Sequence, residues 1–335
     1  MRQADSVERP LFALVGGDTL LAKELRERLS ESEPAPRMQL ISATVSGSAT
    51  ADPDEDDSLG TVPLCAKSLA GAKAVFLAGS PASSRRTLKL NPPPELVLID
   101  LAAALEEQPD ARLRAPSAEP AGLGAARTRI QVVAHPAAIA LAMFFSRVAR
   151  AGAIRRSIVH VLEPASERGQ PGLQELQQQT VAVLAFKKLK TDVFDAQLGF
   201  NVLARYGEEA LEPLEGIEDR LERHLASLLA AWPGIPMPSL RLIQAPVFHG
   251  HSFSIWVEFE ERPEIATLAR VLADSGVDVR TEEPPSNAGI AGQGGLSAGV
   301  IAADHNNSRA CWFWLVADNL RLSAENAVTV AKESL

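Results

Sequence analysis

The chain has 335 residues, which at roughly 150 residues per domain predicts two domains. A hydrophobic content of 46% supports full cores, and a net charge of −9 argues against a nucleic-acid partner, whose phosphates require clustered Lys and Arg. The polar start, Met1 to Pro10, has no signal-peptide core. No apolar run approaches the roughly 18 residues of a membrane helix, the longest candidate being Ala137 to Phe145. Two cysteines, Cys65 and Cys311, stand far apart, which suits a reducing cytoplasm and excludes a disulfide framework.

Leu11 to Val15 is a short apolar run ending in Gly16-Gly17, and Leu20, Leu21, Leu25 and Leu29 follow at helical spacing. This predicts strand, tight turn, helix. Met38 to Ser42 reads as a second strand, and Ala51 to Leu59 as an acidic surface excursion. Ala74 to Ala78, Leu96 to Asp100 and Arg129 to Ala134 are buried-strand runs. Strands alternating with helices predict an α/β, doubly wound parallel sheet.

Beyond Ala137 the pattern changes. A helix is expected over Ala138 to Ala151, a strand over Ser157 to Leu162 and a Gln-rich helix over Gln174 to Leu189. From Leu240 come strand patterns, with Phe253, Ile255, Val257 and Phe259 sharing one face. Pro263 to Asp274 reads as a helix, Glu282 to Gly295 as a Pro/Gly-rich loop, Cys311 to Val316 as a strand and Leu322 to Glu333 as the terminal helix. This half is α+β, with enough antiparallel strand to form a broad, dimer-forming sheet.

The run Gln244-Ala245-Pro246-Val247-Phe248-His249-Gly250-His251-Ser252 resembles the catalytic-histidine strand of the aspartate-semialdehyde dehydrogenase family, which reads Arg-Val-Pro-Val, two variable residues, Gly-His-Ser. The Gly16 turn, the segment GLQELQQQT from Gly172 and the closing WLVADNLRLSAENAVTVA resemble other family segments, in order and at compatible spacing. The resemblance covers nearly the whole chain and implies its fold. A Rossmann-like NAD(P)-binding domain is expected over residues 1–136 and 318–335, and an α+β dimerisation domain with a mixed sheet over residues 137–317. It also implies NADP or NAD as cofactor and a homodimer, with hetero-association with an active paralogue as a further expectation.

The family's reaction needs a thiolate nucleophile, a histidine acid/base, a glutamine, arginine clamps for carboxylate and phosphate, and a glycine turn for the dinucleotide. By alignment the histidine position is His251, but the nucleophile position falls on Ala138. Gln244 stands at the substrate arginine and Glu163 at the glutamine, with Glu167 and Arg168 where the family has small residues. Asp100 keeps one residue of the phosphate motif, whose arginine becomes Glu106; Arg112 or Arg114 could swing in to replace it, though both are read as ordinary surface arginines. The cofactor turn keeps Gly16 but places Thr19 and Ala22 at the next two positions, and Asp18 adds negative charge. The turn Ala78-Gly79-Ser80 resembles another cofactor loop of the family and is better kept.

His135 replaces the motif's first Asn and is read as a helix cap or packing residue. His249 and His251, at i and i+2, are placed on one strand face, but without a nearby carboxylate or cysteine no metal site is expected. His305 is assigned to an exposed turn. These losses all fall on chemistry while the apolar pattern is intact. The expectation is a catalytically inactive dimeric paralogue with a scaffolding, regulatory or ligand-sensing role. The alternative is an NAD(P)-dependent oxidoreductase acting on a semialdehyde or related oxo-acid in amino-acid biosynthesis, with His251 as acid and Glu163 as a candidate base.

Overall fold

The computed structural model describes residues 9–43, 60–122 and 128–334, so the acidic stretch Ala51 to Leu59 lies outside the described residues. The chain forms two compact units. One comprises Met1–Arg114, Gly122–Val133 and Ala324–Leu335, and the other Ala115–Ala121 and Ala134–Ser323. No helix among the described residues is long and apolar enough to cross a membrane.

In the first unit β1 (Leu11–Val15), β2 (Arg37–Ile41), β3 (Ala74–Leu77), β4 (Val97–Asp100), β5 (Ala111–Arg114) and β6 (Ile130–Val133) make one parallel sheet in the order β2-β1-β3-β4-β6-β5. The central strands are near-continuous apolar runs because both faces are covered, as parallel sheets require. Helices α1 (Leu20–Ser30) and α2 (Pro81–Lys89) start at the side-chain caps Thr19 and Ser80. The sequence reading missed β5, and Arg114 on it is not a surface arginine. Its guanidinium is buried and paired with Glu333 Oε2 at 2.5 Å.

In the second unit α3 (Pro136–Val148) is apolar on nearly every side and is buried nearly throughout. Its Phe144 meets Phe313 edge-on, ring centroids 5.1 Å apart. The sheet consists of β7 (Ile154–Glu163), β8 (Ser239–Gln244), β9 (His251–Phe259), β10 (Asp278–Arg280), β11 (Ser297–Ala303) and β12 (Ala310–Ala317), ordered β10-β11-β12-β9-β7-β8 and mixed in direction. Phe253, Ile255, Val257 and Phe259 all point into the core, as the period-2 pattern predicts. The helices α4 (Gly169–Leu184), α5 (Leu214–Leu229), α6 (Ile265–Asp274) and α7 (Asn287–Ile290) complete the unit before α8 (Asn319–Glu333). The Gln-rich helix ends at Leu184, five residues before its expected end.

Register places the polar residues of this unit. Glu163 and Gln244 are parallel partners at the ends of β7 and β8. Leu162 pairs with Ser252 on β9, so the next step of the antiparallel ladder sets Glu163 opposite His251. Three adjacent strands therefore carry Glu163, Gln244 and His251 at one level of the inner face.

Candidate functional site

These three side chains lie in a buried polar cluster built on strand ends and helix starts. Glu163 is 0% exposed and His251 1%. Glu163 Oε2 sits 3.4 Å from His251 Nε2, and Oε1 accepts from Arg168 Nη2, also at 3.4 Å. Arg168 closes the short 3-10 turn Ala165–Arg168 after β7 and gives its other arm to Glu212 at 2.8 Å. Glu212 also pairs with Arg220 of α5. Burial opposes the charge on Arg168, but Glu163, Tyr206 and Glu212 outweigh it and push its pKa up. The guanidinium is thus locked as a cation inside its own carboxylate cage.

Gln244 is fully buried and spent on structure. Its amide donates to the carbonyls of Glu163 at 2.9 Å and Ala245 at 3.1 Å, and its oxygen accepts from Tyr206 Oη at 2.5 Å. Burial and the Glu163 carboxylate raise the Tyr206 hydroxyl, which stays a neutral donor. Gln244 thus staples strand ends in place of presenting a charge.

His135 is the N-cap of α3, its Nδ1 accepting from the Ala137 amide at 3.2 Å. Its own amide donates to His224 Nδ1 at 2.9 Å. Burial, with the neighbouring His251, His224, Arg168 and Arg220, drives its pKa well below 6.5, so the ring is neutral. Its Nε2 faces Glu167 Oε2 at 3.8 Å. Glu167 Oε1 accepts from Asn319 Nδ2 at 2.6 Å, and Asn319 Oδ1 takes the Ser166 hydroxyl and the Gly250 amide. Burial raises the Glu167 pKa, as does Glu163, against the opposing pull of His251 and Arg168. Ala138, in the first turn of α3, is fully buried.

His249 does not share a strand face with His251. It precedes β9, separated by Gly250 at φ +81, and its carbonyl accepts from Asn287 Nδ2 at 3.2 Å. His305 is in an exposed turn. Cys65 is exposed, whereas Cys311 is buried in β12 and burial pushes its thiol up to about 11. Glu167, Arg168, Tyr206 and Asn319 join the cluster without having been singled out as site residues. The local hint is the charged pair Glu167-Arg168 in the short turn after a strand that ends in Glu163.

In the first unit Gly16 turns at φ +85, and a Cβ there would lie 2.5 Å from Gly79 Cα. Only glycine permits this closure of the two loops. Thr19 Oγ1 lies 3.0 Å from the Ala78 carbonyl and caps the Ala22 amide at 3.1 Å. Ala22 is buried against the core, the packing role of a third glycine. With a hydroxyl at the start of α1 and exposed Asp18 beside it, these residues fit a pyrophosphate poorly. Arg86 of α2 donates to the Ala43 carbonyl, which brings a cation to the end of β2 that local sequence does not supply. Asp100, on β4, is buried and anchors the following loop through the Ala102 and Leu105 amides. Burial raises its pKa against those hydrogen bonds.

Residues 147–322 match the family model described as semialdehyde dehydrogenase, dimerisation domain. The chain belongs to the aspartate-semialdehyde dehydrogenase family. It is 34% identical over 171 residues to a USG-1 protein homolog of Pseudomonas aeruginosa, a match that spans half of this chain and half of that relative's length. A USG-1 protein homolog of Azotobacter vinelandii is 27% identical over 328 residues, 96% of each chain. The structure of a probable aspartate-semialdehyde dehydrogenase from Pseudomonas aeruginosa superposes with a TM-score of 0.78 at 25% identity, covering 97% of this chain and 98% of that one. The parallel-sheet unit and the mixed-sheet unit are the two folds expected of an aspartate-semialdehyde dehydrogenase.

Proposed function

We propose that this chain is a dimeric, non-catalytic member of the aspartate-semialdehyde dehydrogenase family, kept for scaffolding, regulation or ligand sensing. The observation that carries the reading is the closed pairing of Glu163. One carboxylate oxygen faces His251, the family's acid/base position, and the other faces Arg168. With no thiol at Ala138 to deprotonate, the His251 ring facing this buried carboxylate is read as a packing contact. Ala138, at the nucleophile position, has only a methyl group, and Gln244, at the substrate-arginine position, is consumed by backbone carbonyls and Tyr206. Glu106 at the phosphate-arginine position reverses the charge needed there.

A homodimer is supported by the matched dimerisation domain and by the outer face of the mixed sheet, where Ile158, Val300 and Trp312 are 43%, 57% and 40% exposed. Pairing with an active paralogue through the same face is the hetero-association this reading allows. A reducing compartment such as the cytoplasm suits the unpaired thiols. The second reading, an NAD(P)-dependent oxidoreductase on a semialdehyde or related oxo-acid, is favoured by the retained Gly16–Gly79 closure.

The deciding experiment is phosphate-dependent reduction of NADP with aspartate semialdehyde, alongside fluorescence titration with NADP and NAD. No turnover and no saturable dinucleotide binding are expected. Measurable turnover overturns the reading, and dinucleotide binding without it moves the balance to the second.

A further inference from the structure

His135 Nε2 is buried and has no hydrogen-bond partner, in a side chain only 6% exposed. It points toward Glu167 Oε2, and ligand atoms of His135, Glu163 and Glu167 all lie within 4.8 Å of one another. Among the described residues no other set of three His, Cys, Asp or Glu is so gathered. A buried polar atom without a partner calls for a missing one. We infer that His135, Glu163 and Glu167 form a binding site for a divalent first-row transition ion of the zinc type.

The donor set selects the ion. One imidazole with two carboxylates suits zinc and its first-row neighbours, whereas magnesium and calcium take oxygen alone. Three protein ligands leave a fourth position for water. The ligands come from three anchored places: the cap of α3, the end of β7 and the turn that follows it. With metal–ligand bonds of about 2.0–2.2 Å, the widest separations must close by about 1 Å, a side-chain adjustment. Each ligand also has an orienting partner. Asn319 holds Glu167 Oε1 and leaves Oε2 facing His135, and His251 lies against Glu163. Such outer contacts are what fix first ligands in metal sites. Arg168 is the opposing charge, and Glu212 offsets it.

One feature works against the ion. His135 Nδ1 accepts the Ala137 amide, so without metal the ring proton sits on Nε2. Ligation moves that proton to Nδ1 and leaves the buried amide unpaired, which costs roughly 10- to 100-fold in affinity. That amide belongs to the first turn of a helix, where amides have no internal partner. The site stands whether or not the chain turns over aspartate semialdehyde.

The test is calorimetric titration of chelator-stripped protein with Zn²⁺, with Co²⁺ absorption as a second readout and Mg²⁺ as control. One Zn²⁺ per chain is expected. His135→Asn keeps a good helix cap while removing Nε2, and Glu167→Gln keeps an acceptor for Asn319. Each strikes a direct ligand and should weaken Zn²⁺ by at least the roughly 10- to 100-fold that loss of an outer contact costs, with the fold checked by circular dichroism, and exposed His305→Ala should change nothing. If His135→Asn fails to fold, Glu167→Gln decides alone. No stoichiometric uptake by the wild type, or unchanged affinity in the folded variants, overturns the inference.

Discussion

Glu163 and His251 face each other across neighbouring strands, carboxylate to imidazole at 3.4 Å, with both side chains sealed from solvent. The same carboxylate neutralises Arg168. Removing one partner of a buried pair strands the other, which costs about 3–5 kcal/mol. Glu163→Ala should therefore lose about that much in denaturant unfolding, and Glu163→Gln should lose less because it still offers an acceptor. A loss within about 0.5 kcal/mol for Glu163→Ala, the level of an ordinary surface change, would mean that the cluster is not what holds Arg168.

Ala138→Cys restores the thiol position at the start of α3 but none of the anion clamps. The expected phosphate-dependent activity with aspartate semialdehyde is indistinguishable from that of the parent. Since the charge changes at Gln244 and Glu106 remain, robust turnover by this single variant would show that the nucleophile alone had been lost.

Gln179 of α4 organises the segment that follows it. Its oxygen accepts from the Leu198 and Gly199 amides at 2.6 and 2.9 Å, and its nitrogen donates to the Lys190 and Ala196 carbonyls. Glu175, one helical turn earlier, takes the Val193 and Phe194 amides. Gln179→Ala leaves buried backbone groups unpaired and should cost about 1–3 kcal/mol. Limited proteolysis should then cut first within residues 190–199.

Acid sensitivity follows from Glu212. Burial opposes its ionisation, but Arg168 and Arg220 outweigh burial and hold its carboxyl below the ordinary 4.5. A carboxyl depressed in the folded state contributes stability that is complete above its unfolded value and is lost as pH falls through the folded one. Stability measured against pH should fall on the acid side of 4.5, and Glu212→Gln should flatten that part of the curve.

The apolar runs made most of the strands legible. Val97 to Asp100 and Ile130 to Val133 are short, continuous and flanked by breakers, which is what a strand covered on both faces requires. Helix α5 was readable and missed: Leu214, Ile217, Leu221, Leu225 and Leu228 recur at helical spacing and are buried. Strand β5 was hidden because its ARLR run carries charge, and nothing local announces that Arg114 meets Glu333 some 219 residues later. The same limit applied to the site. Positions such as His251, Glu163 and Gln244 could be named from their segments, but their meeting depends on strand register across 81 and 88 residues. Periodicity says which face a residue takes and not which residue lies opposite.

The strand register also bears on how such sequences are sorted. A slip of one residue between β7 and β9 would turn Glu163 outward together with the whole apolar row of Val159 and Val161. The polar trio and the apolar row therefore share one register, and neither can be turned to the other face alone. On the reading proposed above, the histidine strand alone would not separate working enzymes from chains that have lost the reaction. The position that would do that sorting is Ala138, which lies on α3 outside the strand ladder.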